Sequence, residues 1–363
     1  MSGQIVNTDP SGSRDSGRRA SSGFSVAVTS SQGFEREILR LRNANRDRAE
    51  TSQYVNWRYQ HLAGAPPPQV FWLLAPQGER IGMASVVFRP DWLNGARVQT
   101  AVVGDISLDV RWRGQGLGRL LLQEMTAYLD QHFPQHPGFV IPTEAARHAL
   151  ARAGWTAPGT LVPHVYVVDV TRYVGAIIRS AWLTALIARP LRWLARTLAR
   201  LRAPRDAALI LTDAPGEALQ EFLRSVAPSE GAVHDLGAQT LRWRYQQHPN
   251  THFVFATYTR SAEVRGFLVF EETSLEGVCH VYDLAARAPA DMRAMLALLI
   301  LRSLDTPGMI TVRMLTDDRH PARRTLRALG FSARRADAVY QVYSRDGSAE
   351  RCAWHVTQGD KDT

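Results

Sequence analysis

The sequence predicts an α/β fold made of two similar domains, each a mixed, mostly antiparallel sheet flanked by helices, and three observations carry that expectation. The first is length, since 363 residues exceed the roughly 250–300 that one hydrophobic core serves. The second is an internal echo. Asn56-Trp57-Arg58-Tyr59-Gln60-His61 returns as Arg242-Trp243-Arg244-Tyr245-Gln246-Gln247-His248. Each copy is followed by two apolar runs around a polar turn, 70–74 with 82–88 and 253–256 with 266–270, the pattern of a hairpin. The third is a later pair of short helical runs, 145–150 before Gly154-Trp155 and 322–326 before Gly330-Phe331, each stopped by glycine. Three echoes in the same order indicate a duplicated unit.

The elements follow from that frame. The first copy spans 25–173, with strands after its hairpin at 99–110, 139–141 and 164–168 and a main helix at 116–131. The second spans 207–346, with strands at 278–285, 309–315 and 338–342 and a helix at 290–304. Each runs strand, helix, two or three antiparallel strands, helix, strand, short helix, last strand, which is α/β layering. Residues 1–24, rich in Ser, Gly and Arg without an apolar run, read as a disordered tail and not a secretory signal. Residues 347–363 read as a second flexible tail.

Hydrophobic residues at 45% and charged residues at 21% exclude a wholly disordered, collagen-like or coiled-coil chain. The net charge of +9 comes from arginine, Lys361 being the only lysine. Cys279 and Cys352 belong to no CxxC or Cys/His cluster, so neither a disulfide framework nor a metal site is indicated, and a reducing cytoplasm fits. No stretch reaches the ~20 apolar residues of a spanning helix.

Arginine concentrates in the connector, 174–206, where Arg179, Arg189, Arg192, Arg196, Arg200, Arg202 and Arg205 stand without an acidic residue between 175 and 205. Leu183, Ile187, Leu191, Leu194, Leu198 and Leu201 recur at helical spacing, with Arg189, Arg192, Arg196 and Arg200 opposite, a basic amphipathic helix that Pro190 should break or kink. Two readings stay open. One is peripheral contact with an anionic membrane surface, aided by Trp182 and Trp193. The other is a bridge that packs its leucines on the two domains and leaves its arginines in water. No nucleic-acid module or aromatic RNA platform is present, so nucleic acid is not an expected partner.

The segment with chemistry is Gly104-Asp105-Ile106-Ser107-Leu108-Asp109-Val110-Arg111-Trp112-Arg113-Gly114-Gln115-Gly116-Leu117-Gly118-Arg119-Leu120. A strand enters a glycine-rich turn that opens into a helix, leaving unpaired N–H groups at the positive end of the helix dipole. That is an anion cradle suited to a pyrophosphate. Its spacing matches neither a Walker loop nor a dinucleotide GxGxxG.

With Arg113, Gly116 and Gly118 the segment resembles the acyl-CoA motif of the GNAT superfamily of N-acyltransferases, Gln/Arg-x-x-Gly-x-Gly/Ala. Residues 138–155, a strand, Pro142-Thr143-Glu144-Ala145 and a helix ending in Gly154-Trp155, resemble the family's second motif, and both domains fit a tandem arrangement. The resemblance implies a splayed strand pair, with the backbone of Leu108 and Val110 on the pantetheine arm. It places the amides of Arg113, Gly114, Gln115, Gly116, Leu117, Gly118 and Arg119 on the pyrophosphate, and acetyl-CoA as co-substrate. In the second copy, Ala286-Arg287-Ala288-Pro289 replaces the glycines, so one site is expected, with the C-terminal copy degenerate. Many members place a tyrosine acid where Leu150 and Leu326 stand here. Candidates for acid–base work are therefore Glu144, Asp105 and His148; Asp105, Ser107 and Asp109 share strand parity, with Leu108 opposite. Trp57 and Tyr59 could line an acceptor pocket, or pack, since the triplet persists where the cradle is lost. The implied activity is acyl transfer to a small-molecule, saccharide or peptide amine. The alternatives are a non-catalytic acyl-CoA-binding or membrane-peripheral module, or an aminoacyl transferase of cell-wall or polysaccharide assembly.

Overall fold

The computed structural model describes residues 23–46, 49–178, 180–226, 230–273, 276–336 and 338–361. The tail expected at 1–24 lies outside them except for Gly23 and Phe24, and so does Arg179. In chain order the first elements are β1 (Ser25–Ser30), α1 (Glu35–Asn43), α2 (Ser52–Arg58), β2 (Gln69–Leu74), β3 (Arg80–Leu93), β4 (Ala96–Leu108), α3 (Leu117–His132), β5 (Gly138–Val140), α4 (Glu144–Arg152) and β6 (Thr156–Val167). Then come α5 (Val170–Ile177), α6 (Ala181–Arg202), β7 (Ala207–Thr212), α7 (Glu217–Ser225), β8 (Ala232–His234), α8 (Ala238–Leu241), β9 (Val254–Arg260), β10 (Glu263–Thr273) and β11 (Val278–Ala286). The chain ends with α9 (Pro289–Asp305), β12 (Thr311–Asp317), α10 (Ala322–Leu329), β13 (Ser332–Ala333), β14 (Ala338–Tyr343), α11 (Ser348–Arg351) and α12 (Gln358–Lys361).

The chain forms two compact units that do not follow the sequence halves. The first comprises Met1–Asp91, Val98–Pro158 and Tyr340–Arg351; the second comprises Trp92–Arg97, Gly159–Val339 and Cys352–Thr363. Within the first the strand order is β1-β2-β3-β4-β5-β14, and within the second β7-β9-β10-β11-β12-β6. In each unit the fourth and fifth strands are parallel, β4 with β5 and β11 with β12. The sixth strand closes antiparallel, β14 on β5 and β6 on β12. The last strands are thus exchanged: the strand expected to finish the first copy, 164–168, serves the second unit, and 338–342 serves the first. A strand's period reveals that it has a buried face but not which sheet receives it.

Burial explains the elements. Val70, Phe71, Trp72 and Leu73 of β2 are all buried, as in a strand covered on both faces. Leu117, Leu121, Leu122, Met125 and Leu129 of α3 recur every three or four residues and sit in one core with Phe71, Val86, Val103 and Leu150. In the second unit α9 supplies Ala294, Met295, Leu296, Leu299 and Ile300 to a core with Tyr258, Leu268, Val281 and Leu326.

Three expectations fail here. α6 runs unbroken through Pro190; the proline lies on the exposed side, where water can serve the carbonyl it leaves without a donor. Its small residues, not its leucines, face the unit: Thr184, Ala188 and Ala199 are buried, Thr184 beside α5, where its hydroxyl donates to the Ile178 carbonyl, and Ala199 in the core that α9 supplies, whereas Leu186, Leu191, Leu194, Leu198 and Leu201 are exposed. That removes the bridge with buried leucines. The C-terminal tail is not flexible either, since Cys352, Trp354, Val356, Thr357 and Asp360 are all buried. No helix among the described residues is long and apolar enough to cross a membrane.

Candidate functional site

β4 ends in a tightly held turn. The Asp109 amide donates to the Ile81 carbonyl at 2.8 Å, and its carboxylate accepts from the Arg111 amide at 3.1 Å and from the Arg111 guanidinium. That guanidinium holds the Asp109 carboxyl down at a pKa of about 2. A single 3-10 turn, Val110–Trp112, follows. Then the backbone reverses through Gly114 (φ +78°) and Gly116 (φ +77°), left-handed positions that favour glycine. α3 starts at Leu117, whose side chain is locked in the core.

This path leaves a row of amides without protein partners. Arg113 N–H donates to the Val110 carbonyl and Arg119 N–H to that of Gly116. Among the described residues no acceptor meets the amides of Gly114, Gln115, Gly116, Leu117 or Gly118. A Cβ built on Gly114, Gly116 or Gly118 would touch nothing within 4 Å. Gly118 has an ordinary helical φ, so neither strain nor packing requires glycine there. The open space lies at the positive end of a 16-residue helix, and the amides fit an anion such as a pyrophosphate.

Beside the loop, β4 and β5 part. Their register has two pairs, Ala101↔Gly138 and Val102↔Phe139, and β4 continues to Leu108 without β5. Asp105 sits on this stretch at φ +49°, a left-handed kink that aspartate tolerates better than most residues. Its carboxylate is buried and clamped, ion-paired to Arg42 and to Arg58 (3.4 Å), with Arg46 at 3.7 Å. The Tyr59 hydroxyl donates to it at 2.9 Å. Gly104 has no side chain because the Arg58 guanidinium occupies that space. The carboxylate is thus engaged by guanidinium groups and a hydroxyl inside the protein and does not stand open to an acceptor amine.

The other candidates fall into place around this geometry. Leu108 ends β4 and its carbonyl accepts from Arg113 Nε at 3.3 Å. Arg113 also donates to Asn45 Oδ1, so its side chain ties the loop to the α1–α2 connection. Val110 lies beyond the strand with its side chain exposed, which leaves strand-edge pairing to 103–108. Gln115 and Arg119 are exposed at the loop. Glu144 and His148 do not converge on the parting strands' buried residues. Glu144 is 84% exposed in the first turn of α4 and pairs with Arg147, and His148 is exposed one turn on. Trp57 and Tyr59 are buried, not pocket walls; Trp57 packs on Tyr54 with ring centroids 5.3 Å apart. Leu150, at the position of the family's tyrosine, is fully buried.

Sequence reasoning missed the partnership of Arg58 and Tyr59 with Asp105, although the signal was present, because the same clamp recurs in the second unit. Tyr245 donates to Asp283 Oδ2 and Arg244 lies 3.7 Å from it, with Asp283 on β11 as Asp105 is on β4. Here His234 joins, Nε2 3.1 Å from Asp283 and Nδ1 3.3 Å from Asp360. No cradle follows: the Arg287 amide is taken by the Arg265 carbonyl, and Pro289 starts α9 without an N–H. β11 and β12 also part, after Val281↔Met314, but the C-terminal segment enters the gap. Thr357 bridges to Thr316 and donates to Asp283 Oδ1, while Asp317 N–H donates to the Val356 carbonyl. Among the described residues no group of His, Cys, Asp and Glu is arranged to hold a metal.

Burial would lower the His234 pKa, but Asp283 and Asp360 outweigh it and hold it at about 9. A folded value above the unfolded ~6.5 gives stability that is full below pH 6.5 and lost as pH rises through about 9, here about 3 kcal/mol. The urea midpoint is therefore expected to fall between pH 6.5 and 9.5, and His234→Gln should remove that alkaline decline. An equal decline in the variant would assign it to another group.

A strand pair that parts beside a glycine-turned helix N-terminus is the architecture of acyltransferases of the GNAT fold. Residues 36–155 match the model of the acetyltransferase (GNAT) family, so the chain carries a GNAT-family domain that includes the loop, the parting strands and the Asp105 clamp. Structures of similar fold include a probable N-acyltransferase from Enterococcus faecalis V583, with a TM-score of 0.62 and 11% identity over 90% of this chain and 74% of that one. A GCN5-related N-acetyltransferase from Anabaena variabilis gives 0.62 and 11% over 88% and 72%. Saccharomyces cerevisiae N-myristoyltransferase with bound myristoyl-CoA gives 0.55 and 10% over 91% and 85%. At such identities the likeness is one of fold. No curated protein sequence gives a significant match.

Proposed function

We propose that the chain is an N-acyltransferase that moves an acyl group, acetyl in the first instance, from acyl-CoA directly to an amine, using one site in the first unit. The observation that carries this reading is the row of partnerless amides from Gly114 to Gly118, facing space that three absent Cβ atoms leave open. Those amides and the α3 dipole would hold the pyrophosphate, and the free edge of β4 at 103–108 would pair with the pantetheine arm. Acyl-CoA supplies the activated thioester. Asp105 acts as a positioning residue, holding the kink of β4 through Arg42, Arg58 and Tyr59, and the amine's proton passes to water. The rate should then rise with pH up to the acceptor's own pKa. The second unit is a copy without a cradle, its gap lined by Val356, Thr357 and Gly359.

Leu150 in place of a tyrosine favours one competing reading, a module that binds acyl-CoA without turnover. Incubation with labelled acetyl-CoA and a panel of small-molecule, aminosugar and peptide amines separates the two. Label transferred to an amine supports the enzyme, CoA binding with no transfer supports the module, and absence of binding defeats both.

A further inference from the structure

α6 turns its apolar side outward. Thr184, Ala188 and Ala199 are buried at 6%, 2% and 3% exposure, Thr184 beside α5 and Ala199 in the core that α9 supplies, and Arg192 and Arg196 fix the helix to the end of α9 through the Leu304 carbonyl at 2.8 Å and the Asp305 carboxylate. The opposite sector presents Trp182, Leu186, Trp193 and Leu201, exposed at 69%, 64%, 69% and 78%, far more than isolated surface leucines explain. Arg189 and Arg200 are exposed along its border, and no acidic residue occurs on the helix.

We propose that α6 docks the protein on an anionic lipid surface, lying in the interfacial plane with Trp182, Leu186, Trp193 and Leu201 inserted and Arg189 and Arg200 against the headgroups. Charge selects this occupant. In a symmetric contact with a second copy, each residue meets the same surface, so two all-basic helices would face each other in a chain of net charge +9. An anionic bilayer pairs those arginines and accepts the leucines and tryptophans at the depth such side chains favour. The helix is too short of uninterrupted apolar residues to cross, which agrees with a surface orientation. This inference is independent of the acyltransferase reading.

The test is sedimentation of the full chain with vesicles of phosphatidylcholine alone and of phosphatidylcholine with phosphatidylglycerol at a 7:3 ratio, about a third anionic. Binding to the anionic vesicles, weakened by high salt, is expected, with little on the neutral ones. Leu186→Glu with Trp193→Glu, both at exposed positions, should reduce binding at least about tenfold with an unchanged melting temperature. Arg189→Gln with Arg200→Gln should reduce it by roughly fivefold per arginine and leave the apolar face intact. Absence of binding, or binding by both double variants equal to that of the native chain, overturns the proposal. So does self-association that the Leu186/Trp193 variant abolishes, which would make a second copy the occupant.

Discussion

Replacing Gly118 by glutamate is expected to abolish acyl-CoA binding while leaving the fold at least as stable. Gly118 is in the first turn of α3 with an ordinary helical φ and open space at its Cβ. Glycine there costs about 1 kcal/mol relative to a good helix former, and a carboxylate in the first turn gains from the helix dipole. The melting temperature should stay level or rise. Binding should suffer because the new side chain fills the space in front of the amides and repels phosphate. Loss of two charge-assisted hydrogen bonds, about 1.5–3 kcal/mol each, already weakens affinity by roughly 100-fold. Calorimetric titration with acetyl-CoA reads the effect. A variant that binds as well as the native chain would mean that the glycines merely shape a turn.

Asp105→Ala should cost about 3–5 kcal/mol of stability, since it leaves Arg42 and Arg58 buried beside a missing counter-charge. Asp283→Ala, which strands Arg244 and His234 in the same way, should cost a similar amount. Asp105→Asn keeps the size and a hydrogen-bond acceptor for Tyr59 and should be milder. Urea denaturation at pH 7 measures all three. A general base in an open cleft predicts the reverse for Asp105→Ala, a loss of turnover at native stability, so an unchanged urea midpoint would contradict the clamp.

How much of this was legible in the sequence depends on the length scale of each signal. The strand–glycine–helix cradle was fully local, and Arg113, Gly114, Gly116 and Gly118 occupy the expected turn. The Trp-Arg-Tyr repeat was also visible, but its meaning was not. Local pattern presents Trp57 as a pocket or packing residue and Asp105 as an acid–base candidate, whereas Arg58 and Tyr59 hold Asp105, 46 or 47 residues away. Strand parity around Asp105 misled because the kink at φ +49° breaks the period, and Val110 fell off the strand for lack of any signal marking its end. In α6 the leucine periodicity was real. Only the neighbouring α9 decides that alanines face inward, and no pattern within 22 residues records that. The exchange of β6 and β14 is decided by partners more than a hundred residues distant, and the burial of 352–361 by residues such as Asp283, 74 positions before Thr357, all beyond any local period.

The central claim, one acyl-CoA cradle in the first unit, is tested most directly by amide hydrogen exchange of the full chain with and without acetyl-CoA. Protection is expected at Gly114 to Gly118 and along 103–108 of β4, with none at 286–291 of the second unit. Protection confined to the second unit, or a cradle that exchanges equally fast with the cofactor bound, would contradict it.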